Sequence, residues 1–597
     1  MFAQLSEWLD HRTGYKKVIS ALLIEHIPGG AKWRYVWGSC LAFVFMIQLV
    51  TGLLLMTAYS AGDSTSWASV YFIQYQMDFG WLIRGLHHFG SQTMVVLLGV
   101  HMLQVVIAGA HLPPREVNWW LGLLLLGCVL ALSLTGYLLP WDQKGFWATQ
   151  VATNIAGNLP GPGAWLKKII VGGNAYGHHT LTRFYALHVG VLPPLVIVLT
   201  ALHLVAFRRH GVTYPRNAEG DGWFWPDQAF RDLLACLLIF GIMLGLVVYG
   251  DGHKIERPEG APEPTFYQKI AHAGLDGRGA NLDSPADPGH EYPARPEWYF
   301  LFLFQLLKYF EGEQEILGTV IIPNGVFVLL AILPLLGYGW MRRIGHGIGI
   351  LVVVTILVGA GALTCLAVAE DTVDPIAAGL IQRIGTILLP ITGAALVVFL
   401  ALIALAGRSV IGKMIYGLSV LVVGTLLIVS GSLFYAAETH RIPAPVAEYV
   451  QSQLPDKAKQ PSEKAADFRD RLAKAEQRAE RAVFLASQGV PESGPKYLLQ
   501  RDPLTRGKEL FQQTCGSCHS HGTDLHNDKA TASDLSGFGS DEWILRLLSN
   551  PGHEDFFGRT GRKIMSEWIE SNFPNVNAKP EELAKLNEDE KKELEQD

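Results

Sequence analysis

The sequence predicts an all-α protein, a polytopic membrane helix bundle of about nine transmembrane helices followed by a small helical domain at the C-terminus. Of its 597 residues, 49% are hydrophobic and only 17% are charged. Nine uncharged windows are each long enough to cross a bilayer, and the composition becomes polar and charged beyond residue 437. These features exclude a disordered or fibrous chain, and a net charge of −6 leaves no basic field for nucleic acid.

The nine windows follow from length and charge alone, since roughly 20 helical residues span about 30 Å of hydrocarbon. The first window is preceded by about 35 residues with charges and aromatic side chains instead of a short basic region and a cleavage site, so we expect it to stay as a helix. The predicted spans are 36–58, 85–110, 119–139, 184–207, 233–250, 316–341, 344–369, 384–407 and 414–437.

Positive charges indicate the orientation of these spans. Lys and Arg recur in the short segments on one side, which the positive-inside rule assigns to the cytoplasm. The opposite connections 59–83 and 370–382 contain neither residue, although the longer loops 140–183 and 251–315 contain several and weaken the contrast. An odd number of spans then puts the C-terminal region outside. The cytoplasmic charges are Arg12, Lys16, Lys17, Lys32, Arg34, Arg115, Arg208, Arg209, Arg342, Arg343, Arg408 and Lys413.

Two of the windows carry paired histidines. His87 and His101 are 14 residues apart, and His188 and His203 are 15 apart. Fourteen residues turn a helix to within about 40° of four turns, so both members of a pair face nearly the same side. One such histidine is equally explained by a bond to a neighbouring helix, but four at matched depths favour two haems b, each held by two imidazoles. Other histidines near helix ends are expected to be solvated: His111, His178 and His179.

Paired glycines share this period. Gly38 and Gly52 in the first window, and Gly122 and Gly136 in the third, are again 14 residues apart. A missing Cβ lets a flat ring approach the backbone. Small-residue packing between membrane helices is the alternative, but the shared period favours a place beside the haems.

Four short motifs accompany these residues: Leu82-Ile83-Arg84, Gly136-Tyr137-Leu138-Leu139-Pro140-Trp141, Arg183-Phe184-Tyr185 and Pro296-Glu297-Trp298-Tyr299. With them, roughly residues 15–345 resemble the cytochrome b subunit of the cytochrome bc quinol oxidoreductases. The resemblance implies that the second and fourth spans hold the haems between them. The outer haem would have His87 and His188 as ligands, and the inner haem His101 and His203.

Two arginines lie at the outer ends of these two helices. Arg84 and Arg183 are expected to pair with haem propionates, since a charge at that depth otherwise costs about 2.5 to 3.5 kcal/mol. The alternative is an interfacial arginine that reaches the headgroups. The 15-residue spacing and Asp142-Gln143 are similar to the chloroplast and cyanobacterial branch, whose extra haem is attached to a cysteine. Val36 stands at that position, with Cys40 one turn later, so the extra haem stays open.

The Pro296-Glu297-Trp298-Tyr299 motif lies between the fifth and sixth predicted spans, and a loop that follows an odd-numbered span is expected on the outer side. Quinol oxidation releases two protons with two electrons, so a base must reach a quinol hydroxyl in a water-poor pocket. The resemblance implies that Glu297 is this proton acceptor and that Tyr137 and Tyr299 line the same pocket. Without the resemblance, a solvated loop carboxylate is the simpler interpretation. For the quinone-reduction site on the inner side, the candidate residue is Arg208.

The C-terminal region carries Cys515-Gly516-Ser517-Cys518-His519, the pattern of covalent c-type haem attachment. Cys515 and Cys518 would bind the haem vinyls and His519 the iron, with Met565 as the expected sixth ligand. A zinc site is the alternative for the cysteines, and a core methionine is the alternative for Met565. Attachment of haem c outside the cytoplasmic membrane agrees with the orientation deduced from nine spans.

These observations predict a fused subunit of a proton-translocating quinol:cytochrome c-type oxidoreductase in the bacterial cytoplasmic membrane. The resemblance implies a separate Rieske-type iron–sulfur subunit, a homodimeric complex and a downstream soluble cytochrome or copper protein. One rival interpretation is a cytochrome b anchor that passes electrons between quinone and a dehydrogenase or hydrogenase, and a second is a non-enzymatic electron conduit or assembly subunit. The expected domains are a four-helix haem-binding core at 1–210, the region with the quinol-oxidation loop at 211–410, an extra span at 411–440, a charged helical linker at 441–500 and a cytochrome c domain at 501–597.

Overall fold

A computed structural model describes residues 2–214, 220–256, 262–406, 410–522 and 525–550, together with His553, Phe556 and Ser571. Within this part of the chain, nine helices are long and apolar enough to cross a membrane, and the predicted polytopic bundle is confirmed. They are Trp33–Met56, Gly80–Ile107, Glu116–Tyr137, His178–His210, Phe224–Tyr249, Leu317–Gly337, Gly339–Glu370, Pro375–Val398 and Leu421–Glu438, and are numbered here as the first to the ninth span.

Each observed span overlaps a predicted one, and several begin earlier than predicted. The eighth span begins at Pro375, whereas its predicted window begins at residue 384. The Asp374 carboxylate caps this helix by accepting hydrogen bonds from the backbone N–H groups of Ile376 and Ala377 at 3.1 and 3.3 Å. A capped proline start extends the helix through a polar turn that a hydropathy window leaves out.

The remaining elements are short. A two-stranded antiparallel sheet pairs β1 (His26–Pro28) with β2 (Asp221–Trp223). The shorter helices of the membrane unit are Phe2–Thr13, Tyr15–Leu23, Ser66–Tyr71, Gln143–Gly157, Gly163–Val171, Phe266–Ala271, Trp298–Leu307, Ala444–Gln453 and Glu463–Ser487.

Two apolar clusters hold the bundle together. In one, the first, second and fifth spans pack through side chains such as Val44, Leu97 and Met243. In the other, the second, sixth and seventh spans pack through Val106, Leu333 and Val353. The second span belongs to both clusters, so it stands at the centre of the bundle, where a cofactor ligand is held most rigidly.

Connections that should share a side of the membrane do meet in the structure. Trp67, after the first span, donates its indole N–H to the Asp283 carbonyl at 2.7 Å, and Asp142, after the third, pairs through its backbone with Pro285. Arg295 binds both carboxylate oxygens of Asp371, after the seventh span, at 2.9 and 2.6 Å. Loops that follow odd-numbered spans therefore form one end of the bundle.

The charged helix Glu463–Ser487 also lies at this end. Its buried face is mostly alanine, with Phe468 at its start. The Arg295 guanidinium lies 4.5 Å from the centre of the Phe468 ring, and Arg469 donates to the Asp371 carbonyl at 2.8 Å. The helix therefore packs on the loops of the odd-numbered spans instead of standing free as a linker.

The chain divides into two compact units, Met1–Lys496 and Tyr497–Asp597. The first contains the nine spans and the helix Glu463–Ser487. In the second, the described helices are Tyr497–Arg501, Pro503–Leu510, a short turn at Phe511–Cys515, and Asp541–Ser549. Asp502 caps the second of these by accepting from the Thr505 N–H at 3.1 Å. The finer domain limits stay predictions.

Candidate functional site

The second and fourth spans bring His87 and His188 face to face, with ring centres 6.2 Å apart. His87 Nδ1 lies 3.0 Å from the Thr51 hydroxyl, and His188 Nδ1 lies 3.1 Å from the Thr135 hydroxyl. Each threonine hydroxyl donates its own hydrogen to a carbonyl one turn back in its helix, at 2.7 and 2.8 Å. Each hydroxyl must therefore accept from the histidine, which fixes the proton on Nδ1 and leaves Nε2 as a metal ligand.

The inner pair is arranged in a related way. His203 Nδ1 donates to the Asn118 carbonyl at 3.0 Å, so its Nε2 is also left as a ligand atom. His101 is its neighbour, and the Nδ1 atom of His101 is buried without a hydrogen-bond partner among the described residues. A buried imidazole with an unpaired nitrogen is costly unless something binds it.

Each predicted glycine faces one of the four histidines. A Cβ built on Gly136 would lie 2.6 Å from the His188 ring, and one on Gly52 would lie 3.3 Å from the His87 ring. The corresponding distances are 3.5 Å from Gly122 to His203 and 3.7 Å from Gly38 to His101. The first and third spans therefore press their glycines against the imidazoles that the second and fourth spans present.

These distances predict a graded response to alanine. Gly136→Ala is expected to displace His188 and to lower the bound haem b from two per chain toward one, because a Cβ at 2.6 Å forces the ring to move. Gly38→Ala, at ordinary contact distance, should keep both. Gly127 lies in the same span as Gly136 with nothing within 4 Å of its added Cβ, so Gly127→Ala is the matched control. A pyridine haemochrome assay per purified chain measures the result, and equal haem loss in Gly136→Ala and Gly127→Ala would contradict it.

The donor set fits a pair of bis-imidazole haems. Both outer rings keep Nε2 available, at a separation that leaves space for one iron atom between them. The hydrogen bond on the other ring nitrogen is the usual partner of a metal-bound histidine. No third side chain of histidine, cysteine, aspartate or glutamate joins either pair within the described ranges, as a zinc site would need.

The two arginines predicted to pair with propionates differ in their surroundings. Arg84 donates to Gln74 Oε1 at 2.9 Å and to the backbone carbonyls of Ala280 and Asn281 at 2.6 and 2.5 Å, so it also ties the loop before the Pro296 motif to the second span. Arg183 is exposed and bonds the Ile169 carbonyl. Their pairing with propionates stays a prediction.

The Pro296-Glu297-Trp298-Tyr299 motif lies against the second span, one turn from the outer histidine. The indole N–H of Trp298 donates to Gln92 Oε1 at 3.1 Å, and Gln92 Nε2 is 2.9 Å from His88 Nε2. Glu297 and Tyr299 lie near Tyr137, whose buried hydroxyl has no hydrogen-bond partner among the described residues. The structure therefore brings the three predicted pocket residues together and leaves one polar atom ready for a ligand.

Glu297 is held by a residue that the sequence analysis did not single out. Lys144 Nζ lies 2.8 Å from Glu297 Oε1, and the Glu297 side chain is only 13% exposed. Burial alone would raise the pKa of the Glu297 carboxyl, but the ammonium group of Lys144, together with His88, holds it below its ordinary value. The carboxylate is therefore ionised at neutral pH, as a proton acceptor must be.

A second set of acids lies near this ion pair. Burial raises the pKa of Asp283 to about 6, with the nearby Asp142 adding to the rise, and Tyr292 donates its hydroxyl to the Asp283 carboxylate. Asp142 caps the helix Gln143–Gly157 by accepting from the Gly145 N–H at 2.8 Å. This cap places Lys144 in the first turn of the helix, facing the pocket.

His111 and two residues at the start of the first span, Val36 and Cys40, are all buried. His111 is fully buried, with its ring 5.6 Å from that of Trp119 and 6.1 Å from that of His346, so the expectation of a solvated His111 is wrong. The turn after the second span folds inward under the seventh. Val36 and Cys40 are 4% and 0% exposed within the cluster of the first, second and fifth spans.

The Cys515–His519 segment forms a tight turn in the second unit. The N–H groups of Cys518 and His519 donate to the Cys515 carbonyl at 3.0 and 2.9 Å, which sets the residues one turn apart. Both cysteines are free, and His519 Nδ1 donates to the Ser533 carbonyl at 2.7 Å, which leaves Nε2 as a ligand atom. This donor set fits a covalently attached haem. Met565 lies outside the described residues.

Sequence reasoning missed the threonines and the lysine. Thr51-Gly52 and Thr135-Gly136 repeat the same dipeptide in the first and third spans, and this repeat could have marked Thr51 and Thr135 as partners of the outer histidines. No local pattern marks Lys144, because its partner lies 153 residues away.

Comparison with known proteins matches the two halves of the membrane unit separately. A family profile described as cytochrome b(N-terminal)/b6/petB matches residues 92–253, and one described as cytochrome b(C-terminal)/b6/petD matches residues 285–389. A solved chain titled hyperthermophilic respiratory Complex III has a TM-score of 0.49 and 23% identity, and the match covers 69% of this chain and 99% of that one.

Curated relatives agree with the profiles. The cytochrome bc complex cytochrome b subunit of Chlorobaculum thiosulfatiphilum is 34% identical over 323 residues, which is 53% of this chain and 69% of that protein. The menaquinol:cytochrome c reductase cytochrome b subunit of Bacillus subtilis is 34% identical over 36% of this chain and 100% of its own length. Cytochrome b6 of Chlamydomonas reinhardtii is 32% identical over 36% of this chain and 99% of its own length.

Proposed function

Since this chain belongs to the cytochrome b family of cytochrome bc complexes, we propose that it is the quinol-oxidising subunit of a proton-translocating quinol:cytochrome c-type oxidoreductase. Quinol is oxidised at the outer face to quinone, two protons and two electrons. One electron would pass to a separate Rieske-type iron–sulfur subunit, and the other would cross the membrane, so that two turnovers supply the two electrons that reduce one quinone inside.

The four histidines would hold two haems b, His87 with His188 and His101 with His203. Gly38, Gly52, Gly122 and Gly136 would leave space beside them, and Arg84 and Arg183 would neutralise propionates. The bound haems supply one-electron transfer across the membrane. This chain orients each outer imidazole through a threonine hydroxyl, so that Nε2 rather than Nδ1 faces the cofactor.

At the outer pocket, Glu297 would accept a proton from a quinol hydroxyl. The Tyr137 hydroxyl, which has no hydrogen-bond partner among the described residues, would donate to or accept from the second quinol oxygen, and Tyr299 would line the pocket. The Glu297 side chain is only 13% exposed, so a quinol hydroxyl in the pocket would meet the carboxylate before bulk water.

The second unit would carry a covalent haem c through Cys515 and Cys518, and His519 and Met565 would bind its iron. The unit would then lie on the periplasmic side of a bacterial cytoplasmic membrane, in agreement with a cytoplasmic N-terminus and the nine spans found among the described residues. A soluble cytochrome or a copper protein would receive the electron. Homodimeric assembly belongs to the same proposal.

One observation carries the proposal: the buried Glu297 carboxylate lies near Tyr137, whose hydroxyl has no hydrogen-bond partner in the part of the chain that the structure describes, at the end of the bundle that also holds His87 and His188. A cytochrome b that only anchors a dehydrogenase has no use for an ionised acid in that place. Quinol oxidation needs one, because its protons must leave with its electrons.

Haem counting tests the cofactor part of the proposal. A pyridine haemochrome spectrum of the purified chain is expected to give two b haems for each c haem, and a haem stain on a denaturing gel should mark the chain itself. Cys515→Ala with Cys518→Ala should abolish the stain and leave both b haems, with Cys128→Ala as the cysteine control. An unstained wild-type chain would contradict the c-type assignment, and a b to c ratio of one would contradict the paired-histidine assignment.

A further inference from the structure

Lys144 and Glu297 form an ion pair in the outer pocket, and the buried acids Asp142 and Asp283 lie near the lysine. Lys144 Nζ is 2.8 Å from Glu297 Oε1 and 5.9 Å from the centre of the Tyr137 ring, so the ammonium group stands between two pocket residues. The Lys144 side chain is 41% exposed and that of Glu297 is 13% exposed. The pair is therefore screened by water on one side only.

We infer that Lys144 is a positioning residue for quinol oxidation, which holds Glu297 ionised, aims its free oxygen into the pocket and returns it to the ionised state after each proton transfer. This inference rests on the proposed function, since it takes Glu297 as the proton acceptor.

The two oxygens of Glu297 differ in their bonding. Oε1 accepts from Lys144, whereas no hydrogen bond to Oε2 is made among the described residues. The free oxygen is thus the one available to a quinol hydroxyl. A carboxylate with one oxygen fixed by an ammonium group has a defined direction, as a proton acceptor within hydrogen-bond reach requires.

Several charged or titratable groups face this pair, and they come from different elements. His88 approaches Glu297 from the second span and Tyr137 from the third, while Tyr292 and Tyr299 approach from the loop and helix around the motif itself. Asp142 and Asp283 lie near Lys144. Burial would lower the pKa of Lys144, but Glu297 and these two acids raise it, so the lysine stays charged.

The Lys144 charge lowers the pKa of the carboxyl, so Glu297 stays ionised, and able to accept a proton, down to a lower pH. After the quinol O–H bond breaks and the proton binds Oε2, the neighbouring ammonium favours loss of that proton to the water outside. Without Lys144, the Glu297 carboxylate would be protonated at a higher pH and would lose the accepted proton more slowly.

The test compares Lys144→Met, which keeps an unbranched side chain one heavy atom shorter and without the charge, with Lys144→Arg, which keeps the charge. Membranes that contain the assembled complex are assayed for quinol oxidation between pH 5 and 9, with a synthetic benzoquinol or naphthoquinol, whichever the wild type oxidises faster. We expect the acidic limb of kcat/KM to move up by about 1 pH unit in Lys144→Met, because an opposite charge shifts a carboxyl pKa by roughly 1 to 3 units. Lys144→Arg should keep the wild-type limb.

An unmoved limb in Lys144→Met, with both b haems present, would overturn the inference. If neither Lys144→Met nor Lys144→Gln retained the haems, Lys144 would act through folding and the inference would also be wrong. The proposed function fails by a different result, which is normal quinol oxidation by Glu297→Gln. In the double variant Lys144→Met/Glu297→Gln the pH shift should vanish, since the lysine acts only through the carboxylate.

Discussion

Replacing Glu297 by Gln is expected to slow quinol oxidation by at least about 100-fold, the lower end of what a positioned general base contributes. The amide keeps the shape of the side chain but cannot take a proton, and it leaves the Lys144 ammonium beside a neutral group. Both b haems should remain, because Glu297 does not contact the four histidines that would hold them. The measurement is the rate of quinol-dependent acceptor reduction by the assembled complex, with the haem content of the same sample.

Glu291→Gln is the matched control, since Glu291 is an exposed residue of the same loop, six positions earlier. It should keep wild-type activity. Wild-type activity in Glu297→Gln would instead remove the proton acceptor from the proposal and favour a cytochrome b that passes electrons without oxidising quinol at this face.

Replacing His188 by Leu is expected to lower bound haem b from two per chain to one and to abolish electron transfer from quinol to the inner side. Leucine keeps an apolar helix surface but has no nitrogen for iron, and it leaves the Thr135 hydroxyl without its histidine partner. The inner pair, His101 and His203, should keep its haem. Haem counting by pyridine haemochrome and a redox titration of the remaining b haem would measure both effects.

His210→Leu is the control on the same span, because His210 is exposed at the end of that helix and lies outside both histidine pairs. It should keep two haems. Two haems in His188→Leu, or loss of both with a folded chain, would contradict the assignment of one haem to each pair.

Much of the membrane unit was predictable, because its signals are local. A helix that crosses a bilayer must hide its polar backbone within its own length, so a run of uncharged residues is enough to predict it. The phase of a helix is also local, and for this reason the 14-residue and 15-residue spacings correctly placed His87 with His101, and His188 with His203, on shared faces. The glycines shared that period, and each of the four faces one of those histidines in the structure.

Burial at helix ends was less predictable. The turn that carries His111 connects two spans and was expected to leave the histidine solvated, but it packs under the seventh span, and His111 is fully buried. Likewise, the alanine-rich helix Glu463–Ser487 looks like a solvated linker in sequence, whereas its alanine face lies against the odd-span loops. Which surface covers a given turn depends on how distant helices cross, and composition does not encode that crossing.

The sequence by itself determined the nine spans, the family resemblance, the phase of the histidines and glycines, and the candidate residues of the outer pocket. Only the tertiary structure decided which atoms those residues use. It gave the imidazole protons to Nδ1 through Thr51 and Thr135, tied Arg84 to the carbonyls of a loop 196 residues away, and placed Lys144 on Glu297 across 153 residues. The reason is physical: periodicity acts within one helix, whereas a hydrogen bond or an ion pair forms only where separate helices and loops meet.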